Sequence, residues 1–264
     1  MDLGLKGKVA LVLAASKGLG RASAAALAAE GARVTIGARN RQELAKTAQE
    51  IEQDSGSQVL AVPTDVTRAE DVAAIVAATV NTFGRIDILV NNAGGPPFGP
   101  FEAFNDAQWQ AAFELNLLSA VRLIRQVLPH MRQERGGRII NIVSTSVKQP
   151  IDGLLLSNTI RLGVVGLAKT LSIELAPDNI TVNNVCPGRI LTDRLRQGTN
   201  VQAKIAQGIS EAEALSDLAK DIPLGRVGKP EELGALVAFL ASQQAAYITR
   251  TTIQVDGGLI RAVL

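Results

Sequence analysis

Short apolar runs alternate with longer amphipathic segments along the chain. The short runs are rich in Val and Ile and predict buried strands at 8–14, 33–37, 58–62, 86–90, 138–143, 180–185 and 252–255. The segments between them carry Ala and Leu at helical spacing and predict helices at 19–30, 41–53, 69–83, 105–131, 155–175 and 230–241. Strands this apolar must be covered on both faces, which requires a parallel sheet between two layers of helices. The pattern predicts one α/β domain over residues 1–264, a doubly wound parallel sheet of about seven strands.

Composition narrows the class of protein. The chain is 47% hydrophobic but only 3% aromatic, so its core must consist mainly of Ala, Val, Ile and Leu. A net charge of +2 is too small to indicate a nucleic-acid partner. A single Cys and a single His exclude an internal disulfide and a Cys-rich or His-rich metal site. No apolar segment approaches the length that a membrane span needs, so we expect a soluble cytoplasmic protein.

A glycine-rich turn follows the first predicted strand. Glycines there let the backbone approach a pyrophosphate, and the helix that follows supplies amide donors and a favourable dipole. A plain strand-to-helix turn is the alternative interpretation. In this context the turn predicts a Rossmann-type dinucleotide site with contacts from Ala14, Ser16, Lys17, Gly18, Leu19 and Gly20.

The end of the second strand indicates which dinucleotide binds. An acidic residue at this point would hold a ribose 2′-hydroxyl, whereas arginine accommodates a 2′-phosphate. The chain has Arg39, Asn40 and Arg41 here and no acid, and Lys17 adds a third cation. The residues therefore favour NADP over NAD, unless the two guanidinium groups only solvate the next helix.

Further candidate contacts follow the third and fourth strands, because ligands of such sheets bind at the carboxyl ends of the strands. Asp65 and Val66 follow the third strand, and the Asp65 carboxylate can accept from an adenine amino group. Asn91, Ala93 and Gly94 follow the fourth strand and offer amide contacts and close approach. Ordinary helix capping and turn chemistry are the alternatives for these residues.

Together with these residues, several later motifs resemble the short-chain dehydrogenase/reductase family, in the branch that includes the 3-oxoacyl reductases. The matches cover essentially the whole chain and are Asp65, the Asn91-Asn92-Ala93-Gly94 run, Asn116, the strand ending at Ser144, Pro187-Gly188 with Ile190 and Thr192, residues 222–226 and residues 255–258. The resemblance implies an NADP(H)-dependent oxidoreductase that acts on a carbonyl or hydroxyl group of a small-molecule substrate. It implies Asn116 and Ser144 as catalytic residues, a nicotinamide contact over Pro187–Thr192, a substrate lid at 192–221, and a homotetramer or dimer.

The chain departs from the family pattern at the catalytic pair. The family's Tyr and Lys fall on Ser157 and Arg161, and the matching sequence that follows shows that the alignment has not slipped. A serine hydroxyl is a much weaker acid than a phenol, and an arginine does not release a proton. Arg161, one helical turn after Ser157, keeps the ability to hold a ribose or a substrate carboxylate. Lys148, in the loop after Ser144, is the candidate replacement proton donor if it is partly desolvated.

A smaller departure lies in the glycine turn, where Ala14 replaces the family's first glycine. Three interpretations follow from the retained and the lost residues. The first is an NADP(H)-dependent oxidoreductase with an atypical proton donor. The second is a nucleotide-binding homologue with little reductase activity. The third is an enzyme of the same fold that runs a different reaction, such as a dehydration.

Overall fold

The computed structural model describes residues 2–198 and 201–263. Its seven strands form one parallel sheet in the order β3-β2-β1-β4-β5-β6-β7. The strands are β1 Val9–Leu13, β2 Arg33–Ala38, β3 Val59–Pro63, β4 Ile88–Asn91, β5 Gly137–Ile142, β6 Ile180–Pro187 and β7 Thr252–Val255. The doubly wound parallel sheet predicted from the apolar runs is confirmed.

Ten α-helices lie in the described part of the chain. They are α1 Gly18–Ala29, α2 Arg41–Ser55, α3 Ala69–Phe83, α4 Asp106–Phe113, α5 Ser119–Gln133, α6 Leu155–Glu174, α7 Asp193–Gly198, α8 Val201–Ala206, α9 Glu211–Ala219 and α10 Pro230–Ala241. Helices α7 to α9 fall in the predicted lid, of which residues 199 and 200 lie outside the described residues. No helix among those described is long and apolar enough to cross a membrane.

The helix predicted over 105–131 is present as continuous helical backbone from Asp106 to Gln133, but a π-helical turn at Glu114–Leu118 divides it into α4 and α5, which the sequence did not predict. A π turn inserts one residue into the α-helical ladder and is frequent at functional sites. Asn116 lies inside it, is buried, and donates from its side-chain amide to the Gly94 carbonyl at 2.8 Å. The irregular turn therefore ties this helix to the loop that follows β4.

Two apolar cores cover the two faces of the sheet. One packs α1, α2 and α10 against the sheet and the other packs α3, α5 and α6 against it. Helices α1 and α10 approach so closely that a Cβ at Gly234 would lie 2.6 Å from the Ala22 carbonyl oxygen. Because β1 pairs with both β2 and β4, the chain reverses direction across the sheet there, and a cleft opens at the carboxyl ends of these strands.

A row of hydrogen-bonded side chains crosses four of the strands. It consists of three buried asparagines and one threonine that lie opposite one another on β4, β5, β6 and β7, namely Asn91, Asn141, Asn184 and Thr252. Each amide donates to the next side chain in the row, at 2.8, 2.9 and 3.1 Å. The Asn91 amide oxygen, at the open end of the row, has no hydrogen-bond partner among the described residues.

Candidate active site

The cleft at the carboxyl ends of the strands has a volume of about 1810 Å³. All of the predicted cofactor contacts line it except Gly20, Arg41 and Asn91. Of the predicted catalytic residues, Ser144, Ser157 and Arg161 line it, whereas Asn116 and Lys148 lie outside its lining. The fold thus brings the glycine turn and the Ser144–Arg161 segment to one cavity, although they are far apart in the sequence.

The glycine turn fits the pyrophosphate of a dinucleotide. A Cβ at Gly20 would lie 2.3 Å from the Ala14 carbonyl oxygen, so only glycine allows the turn to close this tightly. The turn leads into the N-terminus of α1, where amide groups point out of the helix, and the N-cap residue Lys17 makes no side-chain hydrogen bond to them. Gly94 faces open space on the other side of the cleft. These donors and this room are what a phosphate needs.

Ala14 has a φ of 49°, in the left-handed region that disfavours a side chain. Its position corresponds to the first glycine of the resembled motif. The alanine is therefore accommodated with backbone strain.

The outer end of the cleft holds several charged groups from distant segments. Lys17 forms an ion pair of 3.0 Å with Asp193 of α7, and Ser16 donates to Glu43 at 2.9 Å. The hydrogen bond to Asp193 raises the pKa of Lys17 above its ordinary value. Burial acts to raise the pKa of Asp65, but hydrogen bonds from Thr67 and the charge of Arg39 leave it lowered, so this carboxylate is ionised at neutral pH. Asp193 and Glu43 were missed from the sequence because no motif marks them.

Ser144 lies directly after β5, where it caps a short 3₁₀ helix at Thr145–Val147. Its hydroxyl oxygen accepts from the Ser146 backbone amide at 3.1 Å, which leaves its own O–H free to donate into the cleft. Ser146 in turn lies 3.4 Å from Ser157, hydroxyl to hydroxyl, and either oxygen can be the donor. Both Ser146 and Ser157 are buried. Ser146 was missed from the sequence because its role depends on the packing of α6 against the 3₁₀ helix.

Arg161 is only 7% exposed and donates one hydrogen bond, 3.2 Å long, to the Ile142 carbonyl oxygen. It forms no ion pair with any described residue. Burial, together with the nearby charge of Arg194, lowers the pKa of Arg161 to about 10. The guanidinium is therefore charged at neutral pH but poorly compensated by the protein.

Arg194, on α7, also lines the cleft. Its guanidinium lies 3.8 Å from the centre of the Phe98 ring and donates to the Pro96 carbonyl. A Cβ on Gly95 would lie 2.6 Å from the Arg194 Nε, so the glycine is what allows the arginine to lie across this loop. No local sequence pattern marks this contact, which joins segments nearly one hundred residues apart.

The remaining candidates lie around this centre. The Asn116 amide oxygen is buried without a hydrogen-bond partner among the described residues. Lys148 is half-buried and follows the 3₁₀ helix, with its backbone amide bonded to Thr145. Burial raises the pKa of the Cys186 thiol to about 12, which removes it as a nucleophile at neutral pH.

The chain is similar in sequence and in structure to known proteins over nearly its whole length. The profile of a family described as Enoyl-(Acyl carrier protein) reductase matches residues 13–260. The chain is 37% identical over 257 residues to the 3-oxoacyl-[acyl-carrier-protein] reductase FabG of Vibrio cholerae, covering 97% of this chain and 99% of that one. It is 36% identical over 257 residues to the short chain dehydrogenase/reductase astE of Aspergillus oryzae, covering 97% and 95% of the two chains. The crystal structure of L-sorbose reductase from Gluconobacter frateurii, complexed with NADPH and L-sorbose, superposes with a TM-score of 0.95 at 35% identity and full coverage of both chains.

Proposed function

Since the chain belongs to the short-chain dehydrogenase/reductase family, we propose that it is an NADP(H)-dependent oxidoreductase of a small carbonyl or hydroxyl substrate with an atypical proton donor. The observation that carries this proposal is the single cleft that joins the glycine turn to Ser144, Ser157 and Arg161. The relatives are named as reductases, which does not favour a homologue without activity. NADPH is the cofactor in the L-sorbose reductase complex and is the one that the cations of this chain favour.

The chain's own residues divide the binding of the dinucleotide among them. The N-terminus of α1 and the turn at Ala14 to Gly20 hold the pyrophosphate. Asp65, ionised as it is, accepts from the adenine amino group. Lys17 and Arg39, which line the cleft, would hold the 2′-phosphate, and the segment from Pro187 through Gly188 and Ile190 to Thr192 would hold the carboxamide. When bound, the nicotinamide supplies or removes the hydride.

Ser144 orients the substrate oxygen. Because the Ser144 oxygen already accepts from the Ser146 amide, its hydrogen is left to donate to the carbonyl, and charge that develops on that oxygen is stabilised. Ser157 supports this hydroxyl network through Ser146. Arg161 adds a positive charge, and because this side chain is itself buried its electrostatic effect is stronger than it would be in bulk water.

We propose that the proton comes from another group, because a serine is a poor acid and Arg161, with a pKa of about 10, keeps its proton at neutral pH. Lys148 is the donor that we propose. Its charge acts on Cys186, which packs against Val143, a residue that lines the cleft. Lys148 does not itself line the cleft, so a hydroxyl group or a water molecule would have to relay its proton to the substrate.

We also propose that residues 192–221 form a lid over the substrate. Helix α7 already contacts the glycine turn through the ion pair of Asp193 with Lys17. A homotetramer or dimer and a cytoplasmic location are proposed from the family alone.

The cofactor assignment is tested by titrating the protein with NADPH and with NADH and following the cofactor fluorescence. We expect NADPH to bind more tightly, and we expect Arg39→Gln to weaken NADPH binding while leaving NADH binding unchanged. Arg33→Gln is the matched control, because Arg33 lies at the opposite end of β2, over the ring of Phe83. Equal affinity for the two cofactors, or no binding of either, refutes the assignment.

The Lys148 assignment is tested by pH–rate profiles with a panel of ketones. Lys148→Ala should flatten the limb that reports the proton donor, and Lys148→Arg should do the same, because arginine keeps the charge without giving up a proton. An unchanged profile in both variants shows that the proton comes from elsewhere. Absence of turnover with every ketone, despite tight NADPH binding, contradicts the oxidoreductase proposal itself.

A further inference from the structure

Among the described residues, Arg161 and Arg194 face the active-site cleft without a carboxylate paired to either guanidinium group. Within that part of the chain Arg161 donates only to the Ile142 carbonyl, and Arg194 only to the Pro96 carbonyl. Two other cations of the cleft are paired, Lys17 with Asp193 and Arg196 with Glu211. Arg39 also lines the cleft without an ion pair in the described ranges, but its charge acts on Asp65.

The surroundings of Arg161 make this lack of compensation costly. A guanidinium carries five N–H donors, and one of them is used here. Burial lowers the pKa of Arg161, and the charge of Arg194 lowers it further. Among the described residues, no carboxylate acts in the opposite direction at Arg161, and only the weakly acidic Cys186 does. A buried charge without a partner is strongly destabilising, as the removal of one partner from a buried ion pair shows. A buried cation that the fold nevertheless keeps unpaired is therefore suited to pair with an anion of a bound ligand.

Arg194 is held rigidly in the position that this requires. The Phe98 ring supports one face of its guanidinium, the Pro96 carbonyl accepts from it, and Gly95 leaves the space that it occupies. Burial also lowers the pKa of Arg194. A planar fork fixed in this way is preorganised for the two oxygens of a carboxylate or phosphate.

We propose that the substrate carries a carboxylate or phosphate group next to its reacting carbonyl, and that Arg161 and Arg194 bind this group from two sides. This inference rests on the proposed function, because it assigns the substrate class of the same cleft. The dinucleotide's own phosphates have other donors in the N-terminus of α1 and in Lys17. The Ser144 hydroxyl then meets the carbonyl while the two arginines fix the acidic end of the molecule.

The experiment measures binding rather than turnover. Full-length protein saturated with NADP⁺ is titrated by calorimetry with hexanoate, hexyl phosphate and the neutral hexanamide. One or both anions should bind at least about tenfold more tightly than the amide, as expected for charge-assisted pairing with a desolvated guanidinium. Arg194→Gln should bring this ratio close to one while the dissociation constant of NADPH stays within about twofold.

Arg196→Gln is the matched control, since Arg196 lies on the same helix and lines the same cleft but is already paired with Glu211. It should keep the preference for the anion. Arg161→Met provides a second variant, in which the preference should also be lost.

Two results would overturn the proposal. The first is equal affinity of the wild-type protein for both anions and the amide. The second is an Arg194→Gln variant that keeps the preference but loses NADPH affinity, because the arginine would then serve the cofactor. Failure of NADPH to bind at all counts instead against the proposed function, and the preliminary cofactor titration separates that outcome from these two.

Discussion

Replacing Arg161 by methionine should stabilise the protein in the absence of substrate. The pKa of Arg161 is lowered from 12.5 to about 10 in the folded chain, and this difference corresponds to a penalty of roughly 3 kcal/mol for the charged side chain. The variant also loses the hydrogen bond to the Ile142 carbonyl, which reduces the gain in stability by about 1 kcal/mol. Methionine has a similar length and fills the space with an apolar chain. The expected net gain is about 2 kcal/mol, or a rise in Tm of roughly 4–8 °C for a chain of this size.

Urea unfolding and thermal scans at pH 7 measure this gain, and the pH dependence supplies a second check. A cation whose folded-state pKa is lowered carries its full penalty below that pKa, where both states are protonated. As the pH rises through about 10, the folded protein releases the proton first and the penalty shrinks. The difference in stability between variant and wild type should therefore be constant up to about pH 9 and should decrease above it.

Arg138→Met is the matched control. Arg138 is buried to the same degree, and burial lowers its pKa, but the charge of Asp87 opposes that effect. Removing Arg138 should bring no gain, because Asp87 would lose a neighbouring cation. If Arg161→Met is no more stable than the wild type, as expected for Arg138→Met, the Arg161 charge is already compensated within the protein. An anionic substrate group is then not needed to balance it.

Three further results are expected. Ala14→Gly should raise the free energy of unfolding by about 0.5–1 kcal/mol, since relief of the left-handed alanine outweighs the greater freedom of glycine in the unfolded chain. The control Ala15→Gly, at a buried position without that strain, should lower the free energy of unfolding. A lower free energy of unfolding in both variants would contradict backbone strain at Ala14. Asp87→Asn should flatten the loss of Tm in acid. Burial acts to raise the pKa of the Asp87 carboxyl, but hydrogen bonds from its neighbours hold this pKa below 3.8 in the folded protein. The stabilisation by Asp87 is therefore present above pH 3.8 and is lost as the pH falls through the folded-state pKa. An acid limb identical to that of the wild type would show that Asp87 contributes nothing to it. Ser157→Tyr should raise turnover of neutral ketones by roughly 10²-fold if proton supply limits the rate, and unchanged turnover would show that it does not.

The sequence predicted the elements that have a strong period. The strand at 252–255 and the helix at 69–83 agree with the structure to the residue, because continuous apolar runs and helical spacing are local properties. The helix over 105–131 was predicted as one piece, since the π turn around Asn116 leaves the apolar spacing almost unchanged. The spacing of apolar residues does not reveal the one-residue insertion of the π turn, which the hydrogen bond from Asn116 to the Gly94 carbonyl stabilises.

In the candidate site, too, residues marked by local sequence patterns could be predicted, and residues placed by long-range contacts could not. Ser144 and Arg161, both named from the sequence, line one cavity because β5 and α6 follow each other in the chain and the carboxyl ends of parallel strands share one edge. Arg194 was not predicted as part of the site. Its position depends on Phe98 and Gly95, which precede it by nearly one hundred residues, and nothing in its own neighbourhood of the sequence marks that contact.

The row of amides from Asn91 to Thr252 has a consequence for how the chain reaches its final form. Each donor in the row is satisfied only by the strand beside it, so Asn184 has no acceptor until β7 is in place. A slip of any of these strands by one residue would turn its amide to the other face of the sheet and leave buried donors without partners. Strand β7, the last of these seven strands in chain order, therefore completes the row, and a chain that stops before Thr252 retains an open polar edge.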